Sequence, residues 1–329
     1  MPKVVRFHEI GGPENLSIED AAPRQPGEQE LKLRVQATGL NRAEALYMRG
    51  FYFEKPDVPS RIGYEAAGVV EAVGPGVDPS LIGRRVSTIP GFSQNQYGVL
   101  GEEAVVPASS VAEYPAAFSP AQGASIWMQY LTAWGALIHA GNVQRGDFVL
   151  IPAASSSVGL AAIQTVKDAG ATAIAATRAN SKRQQLLALG ADHVIVTDEE
   201  DLAARVHEIT AGKGARIIFD PVGGPYVETL AQAVASGGTI FLYGALSMQP
   251  TIYPTALGIG KSIVLRGYSL QEIRNNRTLL DQALRYILER LEDGRFVPRI
   301  AKTFTLENSA DAYRYLESNA QIGKVIITV

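Results

Sequence analysis

A chain of 329 residues with a formal net charge of −3 exceeds the usual size of one hydrophobic core and carries no basic excess for nucleic acid or an anionic membrane. With 46% hydrophobic and 19% charged residues it has the balance of a soluble globule in two domains rather than of a disordered chain. Cysteine is absent and the four histidines, His8, His139, His193 and His207, are scattered, which excludes a disulfide, a thiol nucleophile and a thiolate ligand and leaves no zinc site expected.

Residues 1–7 lack the apolar core of a signal peptide, and no run approaches about 18 uninterrupted apolar residues, so a cytoplasmic protein without a membrane span is expected. The stretch 1–120 reads as mainly β. Short alternating runs at 31–35 and 68–73 are separated by the turn signals Gly11-Gly12-Pro13, Gly74-Pro75-Gly76 and Gly83, the pattern of a compact barrel-like unit. One short helix is predicted over 41–50, ending at Gly50.

From 121 the pattern changes. A helix over 127–140 precedes strands at 148–151, 172–177, 193–196, 216–219, 239–243 and 263–266, each alternating with helical stretches. Such alternation predicts right-handed crossovers and a doubly wound parallel sheet with helices on both faces. An amphipathic helix over 279–292, a strand at 300–304, a helix at 309–317 and a last strand at 324–329 follow. That tail is too small for a third domain and is expected to rejoin the first. The expected organisation is therefore 1–120 with 267–329 as a substrate domain, and 121–266 as an inserted nucleotide-binding domain.

The strand 148–151 runs through small residues into the helical pattern Val158, Ala161, Ala162, Thr165, Val166. Free N–H groups at such a helix start suit a pyrophosphate, although a merely structural turn has the same form, and serines stand where G-x-G-x-x-G has glycines. Nineteen residues beyond Gly159 the second strand ends in Thr177-Arg178, followed by Ser181, Lys182 and Arg183. A ribose-binding acid is expected there for NAD and cations for the 2′-phosphate of NADP, so the cofactor expected is NADPH. Glycines at two further strand ends, Gly223-Gly224 and Gly244 before Ala245, allow close backbone approach to a ligand.

The motifs Gly39-Leu40-Asn41, Arg49-Gly50 with Tyr52, Gly63-Tyr64-Glu65-Ala66-Ala67-Gly68, Gln129-Tyr130-Leu131-Thr132-Ala133, Ala154-Ser155-Ser156-Ser157-Val158-Gly159 and Gly323-Lys324 together resemble the medium-chain dehydrogenase/reductase superfamily, specifically its zinc-independent NADPH:quinone oxidoreductase branch. The resemblance spans essentially the whole chain. It implies an α/β fold in which a Rossmann domain is inserted into a mainly β GroES-like domain, with a cleft where they meet. It places Asn41 and Tyr64 where zinc-containing relatives have cysteine and histidine ligands. Hydride transfer to a conjugated acceptor, a quinone or an α,β-unsaturated carbonyl, needs less polarisation than alcohol oxidation, because the charge delocalises to oxygen.

The resemblance further assigns Asn41, Tyr52 and Tyr64 as hydrogen-bond donors to the acceptor's carbonyl. For the cofactor it implies Gln129 as a binding residue, Thr132 near the nicotinamide ribose and carboxamide, and Ser156, Ser157, Val158 and Gly159 at the pyrophosphate. Thr177, Arg178, Ser181 and Lys182 fall at the 2′-phosphate, Gly244 and Ala245 at the nicotinamide edge, and Lys324 near the cofactor. Glu65 is expected to be a buried structural carboxylate, and 93–98 a polar loop at the substrate mouth. A homodimer through the edge near 263–266 is implied. A nucleotide-binding protein without turnover is the reading from a different class.

Overall fold

The computed structural model describes residues 1–329. Eight strands precede the nucleotide-type region: β1 Lys3–Phe7, β2 Leu16–Asp20, β3 Glu30–Gly39, β4 Ser60–Arg61, β5 Glu65–Val73, β6 Arg85–Thr88, β7 Glu103–Pro107 and β8 Val111–Glu113. Six follow within it: β9 Phe148–Ile151, β10 Thr172–Thr177, β11 His193–Val196, β12 Ala215–Asp220, β13 Val234–Leu242 and β14 Val264–Gly267. The last two are β15 Ile300–Thr305 and β16 Lys324–Thr328. The helices used below are α1 Arg42–Met48, α2 Gln94–Tyr97, α3 Trp127–Ala133, α4 Ser157–Asp168, α5 Thr255–Lys261, α6 Arg277–Glu292 and α7 Ser309–Glu317. No helix is long and apolar enough to cross a membrane.

The chain divides into two compact units, one made of Met1–Met128 with Pro298–Val329 and the other of Gln129–Val297. In the first, a seven-stranded sheet runs β15-β16-β3-β5-β6-β8 with β7 also on β3, beside a three-stranded sheet β2-β1-β4. The returning tail supplies an interior strand of this sheet, because β16 pairs antiparallel with β3 and parallel with β15. Val5, Phe7, Leu40, Tyr47, Ile62 and Tyr313 form one of its cores.

The second unit is a six-stranded parallel sheet in the order β11-β10-β9-β12-β13-β14. Order reverses between β9 and β12, and at such a switch point ligands of doubly wound sheets sit beyond the carboxyl ends of the strands. The apolar runs Val149–Ile151 and Ala173–Ala176 are fully buried, as central parallel strands covered on both faces must be.

Two expectations need correction. The tail rejoins the first unit at Pro298 and not at 267, and the first boundary falls within α3 and not at 120. The reason is the packing of α6: Tyr286 and Arg290 bond Asp168 at the end of α4 (2.8 and 2.5 Å), and the Phe296 ring after it stacks on Tyr130 with centroids 4.8 Å apart. The helix expected over 127–140 also changes form, continuing past α3 as π-helical turns Trp134–Ala140.

Candidate active and cofactor sites

In the first unit α1 starts at Asn41, whose backbone N–H donates to Glu44 Oε2 (2.7 Å), the return arm of a capping box. Glu44 is completely buried and accepts further bonds from Asn41 Nδ2 (3.1 Å), Tyr64 N (3.1 Å) and Tyr313 Oη (3.1 Å). Asn41 Nδ2 also lies within bonding distance of Gly39 O (3.2 Å) and Glu65 Oε2 (3.1 Å), while its Oδ1 accepts from Lys324 Nζ (2.7 Å). Lys324 pairs with Glu65, which takes Met128 N–H on its other oxygen (2.8 Å). Burial pushes Glu44 up to about 7, against the pull of its donors and of the Lys324 charge.

This network already engages two of the expected site residues. Both Asn41 Nδ2 hydrogens face buried acceptors. Lys324, with a side chain shut off from solvent, is bonded inside the first unit to Asn41 and Glu65. Glu65 is the buried structural carboxylate expected. The capping-box spacing of Asn41 and Glu44 was the sequence signal for this arrangement, and Glu44 is the member that sequence reasoning missed.

Tyr52 and Tyr64 do come together, their ring centroids 6.3 Å apart and the Tyr52 hydroxyl beside that of Tyr64. Tyr64 stacks obliquely on Phe92 and Tyr52 on Phe53, so the phenols sit in an aromatic wall. Burial raises both phenol pKa values, and both remain O–H donors at neutral pH. The segment expected as a polar loop folds into α2. Its Gln94 is buried and accepts Gly63 N–H (3.0 Å), and Glu54 accepts from Gln94 N (2.9 Å) and Asn95 Nδ2 (3.2 Å).

In the second unit β9 delivers the turn. Ser156 caps α4, its Oγ accepting from Gly159 N (3.0 Å), and Ser155 Oγ accepts from Lys182 Nζ (3.0 Å). None of the serines needs a positive φ; Ala153 carries it instead, at +48°. Gly159 is required for the helix to sit on the strand, since a Cβ there would lie 2.7 Å from Ala154 Cα. Thr177 is buried at the end of β10, followed by exposed Arg178 and Ser181. Arg178 forms no ion pair, and burial together with the Arg178 charge holds the Lys182 ammonium below its ordinary pKa.

Loops after β12 and β13 are laced together. Tyr243 N donates to Asp220 O (3.0 Å) and Leu246 N to Pro221 O (3.0 Å), and buried Asp220 accepts from Val222 N (3.0 Å) and Gly223 N (2.8 Å). A Cβ on Gly244 would lie 2.6 Å from Pro221 O, so this loop keeps its backbone bare, with Ala245 exposed beside it. Gln129 and Thr132 lie buried on α3, three residues apart on one helix face. No group of three or more His, Cys, Asp or Glu side chains is arranged to hold a metal ion.

These residues fit a dinucleotide: hydroxyls and N–H groups at the start of α4, cations 19 and 23 residues beyond Gly159, bare backbone at Gly244, and a buried Tyr243 hydroxyl with no hydrogen-bond partner beside Ser156.

Residues 27–116 match the family model for the alcohol dehydrogenase GroES-like domain, and 157–285 the model described as zinc-binding dehydrogenase. Quinone oxidoreductase 1 of Escherichia coli is 31% identical over 326 residues, 98% of either chain. A 2-haloacrylate reductase of a Burkholderia species is 28% identical, covering 98% of this chain and 97% of its own. Among solved structures, the Pseudomonas syringae quinone oxidoreductase superposes with a TM-score of 0.92 at 30% identity over 100% of both chains. The E. coli quinone oxidoreductase complexed with NADPH superposes with a TM-score of 0.91 at 30% identity, over 99% of this chain and 100% of its own. The fold, the bare turns and this similarity along the whole length lead to one conclusion: the chain belongs to the medium-chain dehydrogenase/reductase superfamily of oxidoreductases, in its quinone oxidoreductase-like family.

Proposed function

We propose that this protein is an NADPH-dependent reductase that passes a hydride to a quinone without a zinc ion. The observation that carries the acceptor reading is the pair of adjacent, un-ionised phenols of Tyr52 and Tyr64 within an aromatic wall. The cofactor, when bound, supplies the hydride. Tyr52 and Tyr64 donate to the acceptor's carbonyl oxygen as negative charge gathers there, and the wall excludes water around it. Asn41, Glu44, Glu65 and Lys324 act behind them, with Glu44 holding the Tyr64 backbone N–H. Arg178 and Lys182 hold the 2′-phosphate, with Thr177 and Ser181 at the same strand end. Ser156, Ser157, Val158 and Gly159 hold the pyrophosphate, and Gln129, Thr132, Gly244 and Ala245 line the nicotinamide end.

A second reading, reduction of an activated carbon–carbon double bond, draws support from the 2-haloacrylate reductase among the relatives. Mixing the protein with NADPH and a panel of benzoquinones, naphthoquinones, 2-alkenals and 2-haloacrylates, while following nicotinamide absorbance, separates the two. Fast turnover of quinones, reduced at least tenfold in Tyr52→Phe and Tyr64→Phe, is the expected result. Turnover of the alkenes alone selects the second reading, and binding without oxidation by any acceptor overturns both.

The assembly we infer is a homodimer joined through the open edge of β14, with the protein acting in the cytoplasm. That edge is flanked by exposed Ile252, Ile259 and Val264, and an apolar open edge invites pairing with a second strand. Sedimentation is expected to show a dimer that Val264→Lys converts to a monomer; a wild-type monomer would refute it.

A further inference from the structure

Tyr243 stands one residue past β13, its ring stacked on Phe219 with centroids 4.0 Å apart and 21° between the planes. Its hydroxyl oxygen is shut off from solvent and makes no hydrogen bond, although the Ser156 side chain lies beside it. A phenylalanine would fill the same stack without a buried, unmet donor. Asp220, the nearby charge, already accepts the Val222 and Gly223 N–H groups. Ser156 Oγ accepts the Gly159 N–H, which leaves its own proton to give. The Ser156 proton faces the Tyr243 oxygen, which leaves the Tyr243 proton without an acceptor, at the start of the twelve-residue helix α4.

We propose that Tyr243 is a binding residue of this site: its hydroxyl and that of Ser156 donate together to one phosphate oxygen seated at the start of α4. The serine-rich turn then holds its anion in part by side-chain hydroxyls where glycine-rich turns use bare backbone. Burial keeps the phenol protonated, so it remains a donor beside an anion. The inference rests on the reading of the site as one for NADPH.

The test titrates wild type and Tyr243→Phe with NADPH, followed by nicotinamide fluorescence, and with inorganic pyrophosphate, followed by calorimetry. Thermal unfolding of both unliganded proteins is measured alongside. The expected result is a five- to tenfold weaker Kd for both ligands in Tyr243→Phe, with an unliganded Tm equal to wild type or higher. Equal affinities in the two proteins overturn the proposal, and so does a Tm that falls along with affinity, because the ring would then be structural. If wild type binds pyrophosphate but not NADPH, and the variant loses pyrophosphate, the anion site stands and the cofactor reading falls. Wild type that binds neither ligand overturns both.

Discussion

In the unit built from both chain ends, Asn41, Glu44, Glu65, Tyr313 and Lys324 meet one another's hydrogen-bonding needs in a closed, buried cluster, whereas in the inserted unit Arg178 stands in solvent without a counter-ion and Tyr243 keeps a buried hydroxyl unmet. Both regions concentrate polar groups, and only one of them is complete. A satisfied network fixes the shape of what surrounds it, here the start of α1 and the backbone of Tyr64. An unsatisfied one stores affinity for a ligand that brings the missing charge or acceptor. On this contrast we base the proposal that Asn41 and Lys324 shape the site while Arg178 and Tyr243 bind in it.

The largest effect expected from breaking the closed cluster is that of Lys324→Met. It strands Glu65 as an uncompensated buried charge, and urea unfolding should show a loss of about 3–5 kcal/mol. A loss below 1 kcal/mol would mean that water reaches the cluster. Next comes its pH dependence. Burial raises Glu44 in the folded state to about 7 from an ordinary 4.5, so the native state holds that proton more tightly than the unfolded chain. Its contribution is then fully present below 4.5 and is lost as pH rises through 7, by on the order of 3 kcal/mol. Urea midpoints across that window should fall with pH in wild type and flatten in Glu44→Gln; a parallel slope in both would assign it to another group. The smallest change in stability is expected from the open region. Arg178→Ala and Lys182→Ala should leave Tm unchanged, while each removes about 1.5–3 kcal/mol of NADPH binding and almost none of NADH. Equal losses for the two cofactors would move the 2′-phosphate elsewhere.

Much of the fold was legible because buried parallel strands have a plain signature. The runs at 148–151, 172–177 and 193–196 coincide with β9, β10 and β11, and the helix at 309–317 with α7. What could not be read was which surface each amphipathic element would cover. The periodicity of α6 announces an apolar face but not that Asp168 lies across from it, and so the second boundary fell 31 residues early. The candidate site divides in the same way. Spacing alone brings Arg178 and Lys182 to the end of β10, because it follows from local structure. That Asn41 faces two carboxylates and an ammonium depends on contacts with residues far along the chain, and only the local half of that arrangement, Asn41 with Glu44, leaves a pattern in sequence.

β16 lies between β3 and β15, and its first residue, Lys324, closes a bond with Asn41 283 residues earlier. A ribosome delivers these partners far apart in time. The inserted unit, ending at Val297, has its whole sheet in hand before β16 emerges, while the first unit must wait with the edge of β3 at Ala37–Gly39 unpaired and with Glu65 lacking its ammonium partner. The first unit therefore completes its sheet last, once β15 and β16 arrive, and until then that short edge of β3 stays open to pairing.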